Sequence, residues 1–190
     1  ELYRVTYPAR GARELVPDIM ETLSTAGFEA VLDTRRGLDH GAWIPLRFAY
    51  PGANVPVVEV SLLAGGAPED LLRIGGALAP LRERNVLLLG SGGVVHNLGL
   101  VRFGEKNAPV DPWALDFDEW VRDRVAAGDR EALIGYRRSA PHADLAVPTT
   151  EHFDPLFVVL GAASRDEGVT VLHEGFQYGN LSMRSFLLGG

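Results

Sequence analysis

The sequence predicts an α/β fold: a single three-layer domain with a mostly parallel central sheet, its N-terminal portion lying outside this chain. Three observations predict it. Two almost unbroken apolar runs, the β-branched Val55 to Leu63 (VPVVEVSLL) and Val86 to Leu89 (VLLL), read as strands buried on both faces. Amphipathic stretches with helical spacing alternate with such runs, as in layered α/β domains. The run at 86–89 opens directly into a glycine-rich turn, GSGGVVHNLG, as strands of such sheets do at their carboxyl ends. A chain of 190 residues, 46% hydrophobic and 23% charged, can bury a core of this kind and is too apolar for disorder.

Taken in order, residues 11–26 have apolar side chains at helical spacing, stopped by Gly27. Pro17 cannot donate an internal hydrogen bond, so the spacing predicts a helix distorted at its start or beginning later. Phe28 to Leu32 reads as a short strand and residues 33–42 as a loop. Trp43 to Tyr50 reads as a short helix closed by Pro51-Gly52. Residues 67–84 form an amphipathic helix weakened by Gly75, Gly76 and Pro80. Asp111 followed by Pro112 signals the N-terminus of a helix to about Ala127. Residues 129–137 read as helical and 138–148 as a loop. Thr149 or Thr150 caps a helix to about Ala163, and Val169 to Leu172 and Leu181 to Leu187 are the last strands.

Composition narrows the function classes. A net charge of -7, with no run of basic residues longer than the pairs Arg35-Arg36 and Arg137-Arg138, argues against a nucleic-acid partner. There is no cysteine, so disulfides, thiolate catalysis and cysteine-based zinc sites are excluded, which suits a cytoplasmic setting. No apolar run approaches the ~20 residues of a membrane span, so no membrane partner is expected. The first residues, Glu1-Leu2-Tyr3-Arg4, contain no initiator Met and no signal-peptide pattern, so the chain reads as beginning inside a longer protein.

Histidines then carry the chemistry. His40 sits in GLDHGAW after a predicted strand, and His96 lies just beyond the strand 86–89, both where open α/β sheets bind ligands. His152, in VPTTEHFDPL, falls at the first turn of a predicted helix; His142 is in the loop SAPHADL, and His173 ends a strand. The glycines at 90, 92 and 93 are not a phosphate loop: no Gly-Lys-Ser/Thr is present, and Val95 occupies the third glycine of a dinucleotide fingerprint. Their use is to turn the chain sharply and admit another group to the backbone, so the turn presents an imidazole. No G-x-S-x-G elbow surrounds Ser91, and Asp116 and Asp118, two apart on a helix, face different ways. Histidines without cysteine, with Glu151 beside His152, suit a borderline or hard transition metal such as iron(II) or zinc.

The segments GLDHGAWIPLRFAYPGANVPVVEVSL, GSGGVVHNLG, APHADLAVPTTEHFDPLFVVLGAA and FQYGNLSMRSF, in that order, resemble the class III extradiol ring-cleavage dioxygenase (LigB-like) family, nearest its 4,5-DOPA extradiol dioxygenase-like branch. The resemblance implies that residues 1–190 are the C-terminal part of one catalytic domain, with His40, His96 and His152 facing one active site. It implies a non-haem Fe(II) cofactor, replaceable by zinc in isolated protein, and catechol and dioxygen as the small-molecule partners. The ring would open beside the two hydroxyl-bearing carbons to a semialdehyde. His96 would be the general base for a substrate hydroxyl or a metal ligand, and His152 a metal ligand with Glu151 as fallback. His40 would be a catalytic and substrate-binding contact, His142 a second-tier pocket residue, and His173 structural or at the surface. The family's two further metal-binding histidines lie in segments resembling HGSP and SAHW, which do not occur in this chain. A zinc-binding or small-molecule-binding relative without dioxygenase activity therefore stands as the alternative, with a metal-dependent hydrolase using bound water a weaker third.

Overall fold

A computed structural model describes residues 6–189. Its contacts divide the chain into two compact units, Glu1–Leu63 and Ala64–Gly190, each taken by itself.

In the first unit a 3-10 turn, Arg13–Leu15, leads into α1 (Val16–Thr25). Pro17 occupies the first turn, where its missing N–H would have had no intrahelical partner, so the helix starts later than residue 11. Ile19 and Leu23, four apart, are its buried positions. Helix α2 (His40–Ala49) begins at the histidine that the sequence placed in a loop. The reason is Asp39, whose carboxylate accepts from the Ala42 N–H at 3.0 Å and caps the helix. The Asp39 N–H donates to Glu59 Oε2 at 3.0 Å, and the Tyr7 hydroxyl donates to the Tyr50 carbonyl at 2.9 Å.

The second unit is built on a close helix crossing. Helix α3 (Pro68–Leu78) continues as a 3-10 stretch, Ala79–Arg84, ended by Asn85 in a left-handed conformation. It packs on α8 (Pro155–Ala162). A Cβ on Gly75 would lie 2.0 Å from the Val158 carbonyl oxygen, and one on Gly161 2.1 Å from that of Leu72. Gly75, which weakens α3 as an isolated helix, is thus what lets the two backbones touch. Helix α4 (Pro112–Ala126) buries Phe117, Val121 and Val125 at four-residue intervals. Its predicted cap, Asp111, makes no side-chain capping bond and instead accepts from Arg102 Nη1 at 2.8 Å. Three short helices follow: α5 (Arg130–Ile134), α6 (Tyr136–Ser139) and α7 (Ala143–Ala146), the last in a predicted loop. Phe117, Tyr136, Phe153 and Phe157 form one aromatic cluster, with Tyr136 and Phe153 centroids 4.8 Å apart. This cluster is the centre of the unit's core.

Strands form two antiparallel pairs among the described residues: β1 (Val169–His173) with β4 (Ser185–Leu188), and β2 (Phe176–Gln177) with β3 (Leu181–Ser182). The mostly parallel central sheet predicted from the sequence is not formed there. Its one parallel pairing is the bridge Gly11–Val57, made by Ala12 N–H to Val57 O (3.1 Å) and Val57 N–H to Arg10 O (2.8 Å). Segment 28–32 is no strand, and Val31 is largely exposed. Segment 86–89 has no regular secondary structure, with Leu87 62% and Leu89 53% exposed, and its backbone bonds to no other described segment. An apolar run can line a pleated surface, but only a neighbouring strand makes it a ladder. No helix of the described residues is long and apolar enough to cross a membrane.

Candidate functional site

The site is assembled where the glycine turn meets the turn preceding α8. A Cβ on Gly92 would stand 2.1 Å from the His152 carbonyl oxygen, and one on Gly90 2.8 Å from that of Pro155. The Gly93 N–H donates to the His152 carbonyl at 2.7 Å. The approach foreseen for the glycine turn is therefore made by residues 152–155. Gly93 is different from Gly90 and Gly92, because its Cβ would meet only ordinary contacts at 3.6 Å.

Beyond the turn the chain is fastened on two sides. The His96 N–H donates to the Ala146 carbonyl (3.0 Å), and Asn97 Nδ2 to that of Leu145 (2.8 Å). From β3, the Ser182 N–H donates to the Val95 carbonyl at 3.3 Å. These ties bring the His96 and His152 rings face to face, centroids 3.6 Å apart and planes within 10°. Both are half-buried. His152 does not lie in the first turn of a helix, as the sequence suggested; α8 starts at Pro155, and His152 sits in the turn before it. That turn is closed by the Thr150 carbonyl, which accepts from the Phe153 and Asp154 N–H groups, both at 2.8 Å.

His152 Nδ1 is buried without a hydrogen bond, and Glu151 Oε1 lies 3.3 Å from it. The Thr149 hydroxyl donates to the same carboxylate at 2.7 Å and holds the Glu151 carboxyl below the usual range, keeping it anionic. Two imidazoles on one surface can share a cation, or one can hold it while the other moves a proton. The residue types, two imidazoles with the Glu151 carboxylate beside the buried His152 Nδ1, are ones a borderline metal ion takes. The fit is incomplete, since among the described residues no group of three or more His, Asp or Glu side chains is arranged to hold a metal ion.

The remaining histidines are placed as follows. His142 is exposed, has a left-handed backbone (φ 54°) and precedes α7, whose last carbonyl takes the His96 N–H. Its Nε2 lies 3.5 Å from Asp116 Oδ2. His173 is exposed on β1. His40 is exposed at the start of α2, in the other unit.

Sequence reasoning missed a buried polar cluster behind the His96 loop. Asp118 accepts from the Ser182 hydroxyl at 2.5 Å and from Arg184 Nε at 2.8 Å, with the Asp118 and Arg184 side chains nearly inaccessible. Burial disfavours the Arg184 cation, but the hydrogen bonds and charge of Asp118 outweigh it, and the guanidinium pKa is raised. Helical spacing had signalled that Asp116 and Asp118 face different ways, and they do, toward His142 and Arg184. Nothing in the sequence paired Asp118 with a residue 66 positions on.

This chain has known relatives. It is 38% identical over 177 residues to a 4,5-DOPA dioxygenase extradiol of Mirabilis jalapa, covering 92% of this chain and 65% of that protein. It is 35% identical to a 4,5-DOPA dioxygenase extradiol of Escherichia coli (strain K12), covering 99% of this chain and 69% of that one. The chain thus spans about two thirds of the length of these relatives. Among solved structures, the crystal structure of the uncharacterized protein JW3007 from Escherichia coli K12 matches with a TM-score of 0.86 and 34% identity, over 100% of this chain and 77% of that one. The family model described as the catalytic LigB subunit of aromatic ring-opening dioxygenase matches residues 1–188, and the chain belongs to that family.

Proposed function

We propose that the protein containing this chain is a non-haem iron(II)-dependent extradiol dioxygenase. It opens the ring of a catechol with a small polar side chain, DOPA-like or protocatechuate-like, using dioxygen and giving a semialdehyde. The observation that carries this reading is the stacked His96–His152 pair, built by the glycine turn in a chain of the LigB family. In this reading His152 and, in one protonation state, His96 hold the metal, with Glu151 as the carboxylate within reach of the same ring. The chemistry supplied by iron(II) when bound is the passage of electron density from catecholate to dioxygen; zinc supplies no redox step. His96 takes the proton of a substrate hydroxyl at its ring nitrogen, a role that imidazole fills near neutral pH. His40 and His142 are the substrate-contact candidates, and the setting is the cytoplasm.

The test uses the full gene product with iron(II), oxygen, and DOPA or protocatechuate. The expected result is oxygen uptake with a yellow semialdehyde product, abolished by His96→Ala and largely kept by His173→Ala. Stoichiometric iron without oxygen uptake across a panel of catechols would overturn the function. Zinc and catechol binding in that case would mark a non-redox relative. Equal losses in the two variants would overturn the ranking of the histidines.

A further inference from the structure

We infer that Asn97 is a positioning residue for His96, acting through a side-chain tie to Leu145 that the reaction chemistry does not itself require. The inference rests on the reading of His96 as the proton-transferring group. Asn97 uses both ends of its amide. Its Nδ2 donates to the Leu145 carbonyl at 2.8 Å, across 48 residues of chain, and its Oδ1 accepts from the Gly99 N–H at 3.0 Å. The first bond spans from the histidine loop to α7; the second folds the chain into a turn immediately after it. The Leu100 N–H to Asn97 carbonyl bond, at 3.2 Å, closes the same turn.

Three neighbouring ties are backbone bonds: Gly93 to His152, His96 to Ala146, and Ser182 to Val95. Asn97 adds a side-chain bond next to the imidazole, beside the Ala146 carbonyl that already receives the His96 N–H. Two adjacent acceptors, Leu145 and Ala146, thus hold two adjacent residues, 97 and 96. Bonds to two adjacent carbonyls suppress rotation of the loop about either one, and that rotation would slide the His96 ring off His152. Catalytic groups must be held closely, since a misplacement of ~1 Å costs about a hundredfold in rate.

The experiment compares Asn97→Ala and Asn97→Ser in the full gene product. Serine can still accept from the Gly99 N–H but cannot reach the Leu145 carbonyl, so it keeps the turn and removes the tie. Both variants are expected to lose about tenfold to a hundredfold in kcat, with KM for DOPA within about twofold. In protein labelled with 15N-histidine and loaded with zinc, the His96 and His152 ring resonances shift, while that of His173 stays. Unchanged His96 resonances in Asn97→Ser, or a kcat within about twofold of the parent in that variant, overturns the inference even where Asn97→Ala fails to fold. His96→Ala, measured alongside, separates the two ideas. If it keeps activity, the role given to His96 falls, while the ring resonances still decide whether Asn97 positions it.

Discussion

Gly92→Ala is the sharpest perturbation of the site, because its neighbour Gly93 supplies the control. The Cβ added at Gly92 would lie 2.1 Å from the His152 carbonyl oxygen and 3.0 Å from its carbon, both backbone atoms that no rotamer change can move. Ordinary contact begins near 3.4 Å, so the turn must withdraw by about 1.3 Å, the difference between 3.4 and 2.1 Å. The Gly93–His152 bond, at 2.7 Å, would lengthen to about 4.0 Å and cease to be one. Losing it costs ~1 kcal/mol and forcing a methyl into a packed contact ~1–3 kcal/mol, together roughly 2–4 kcal/mol. With a urea slope of about 2 kcal/mol/M, the unfolding midpoint falls by roughly 1–2 M. The same withdrawal separates the two imidazoles, and kcat falls by about a hundredfold. At Gly93 the added Cβ meets only contacts at 3.6 Å or more, and its φ is not left-handed, so Gly93→Ala should leave both midpoint and kcat near the parent values. Urea melts and oxygen uptake on both variants of the full gene product check this. Gly92→Ala with a parental midpoint, or Gly93→Ala equally damaged, would refute the reasoning.

Other expectations concern buried charge. Arg184→Met leaves the Asp118 carboxylate, 1% exposed, with only the Ser182 hydroxyl, and should destabilise by ~3–5 kcal/mol. Adding Asp118→Asn should recover part of that loss, and a double-mutant cycle in urea would read the coupling. Asp154 is pushed above the ordinary carboxyl range by burial, opposed by the Thr150 hydroxyl, which donates to it at 2.7 Å. The folded state therefore holds this proton more tightly than the unfolded state. Stability from this group falls as pH rises from its unfolded value of 3.8 through the folded one. Asp154→Asn should thus gain stability relative to the parent at neutral pH, with the gain vanishing below the unfolded value; a constant difference across pH would contradict it. Glu167 has the opposite sign. Its hydrogen bond with Arg82 lowers its pKa, so its contribution is present above 4.5 and lost as pH falls through the folded value. Being partly exposed and screened, the pair is worth only about 0.5–1 kcal/mol, measurable as a small loss on Glu167→Gln at pH 7 that shrinks as pH falls below 4.5.

The sequence by itself determined the helices whose signals are local. Pro17 at the first turn of α1, Pro112 at that of α4, and the four-residue rhythm of Phe117, Val121 and Val125 depend on neighbours a few positions away. It also determined the family, through four ordered segments, and singled out His96 and His152. Pairing and contact across distance belonged to the tertiary structure. The run at 86–89 has the composition of a buried strand, yet strand identity needs a hydrogen-bonded neighbour, and composition cannot supply one. Gly75 reads as a helix weakness until α3 and α8 meet at Gly75 and Gly161. The His96–His152 stack is likewise a product of the fold. It exists because Gly92 has no side chain where the His152 carbonyl passes, and because Ala146 and Leu145 offer carbonyls to residues 96 and 97. Local chemistry chose which groups could act, and long-range backbone contact decided which of them meet.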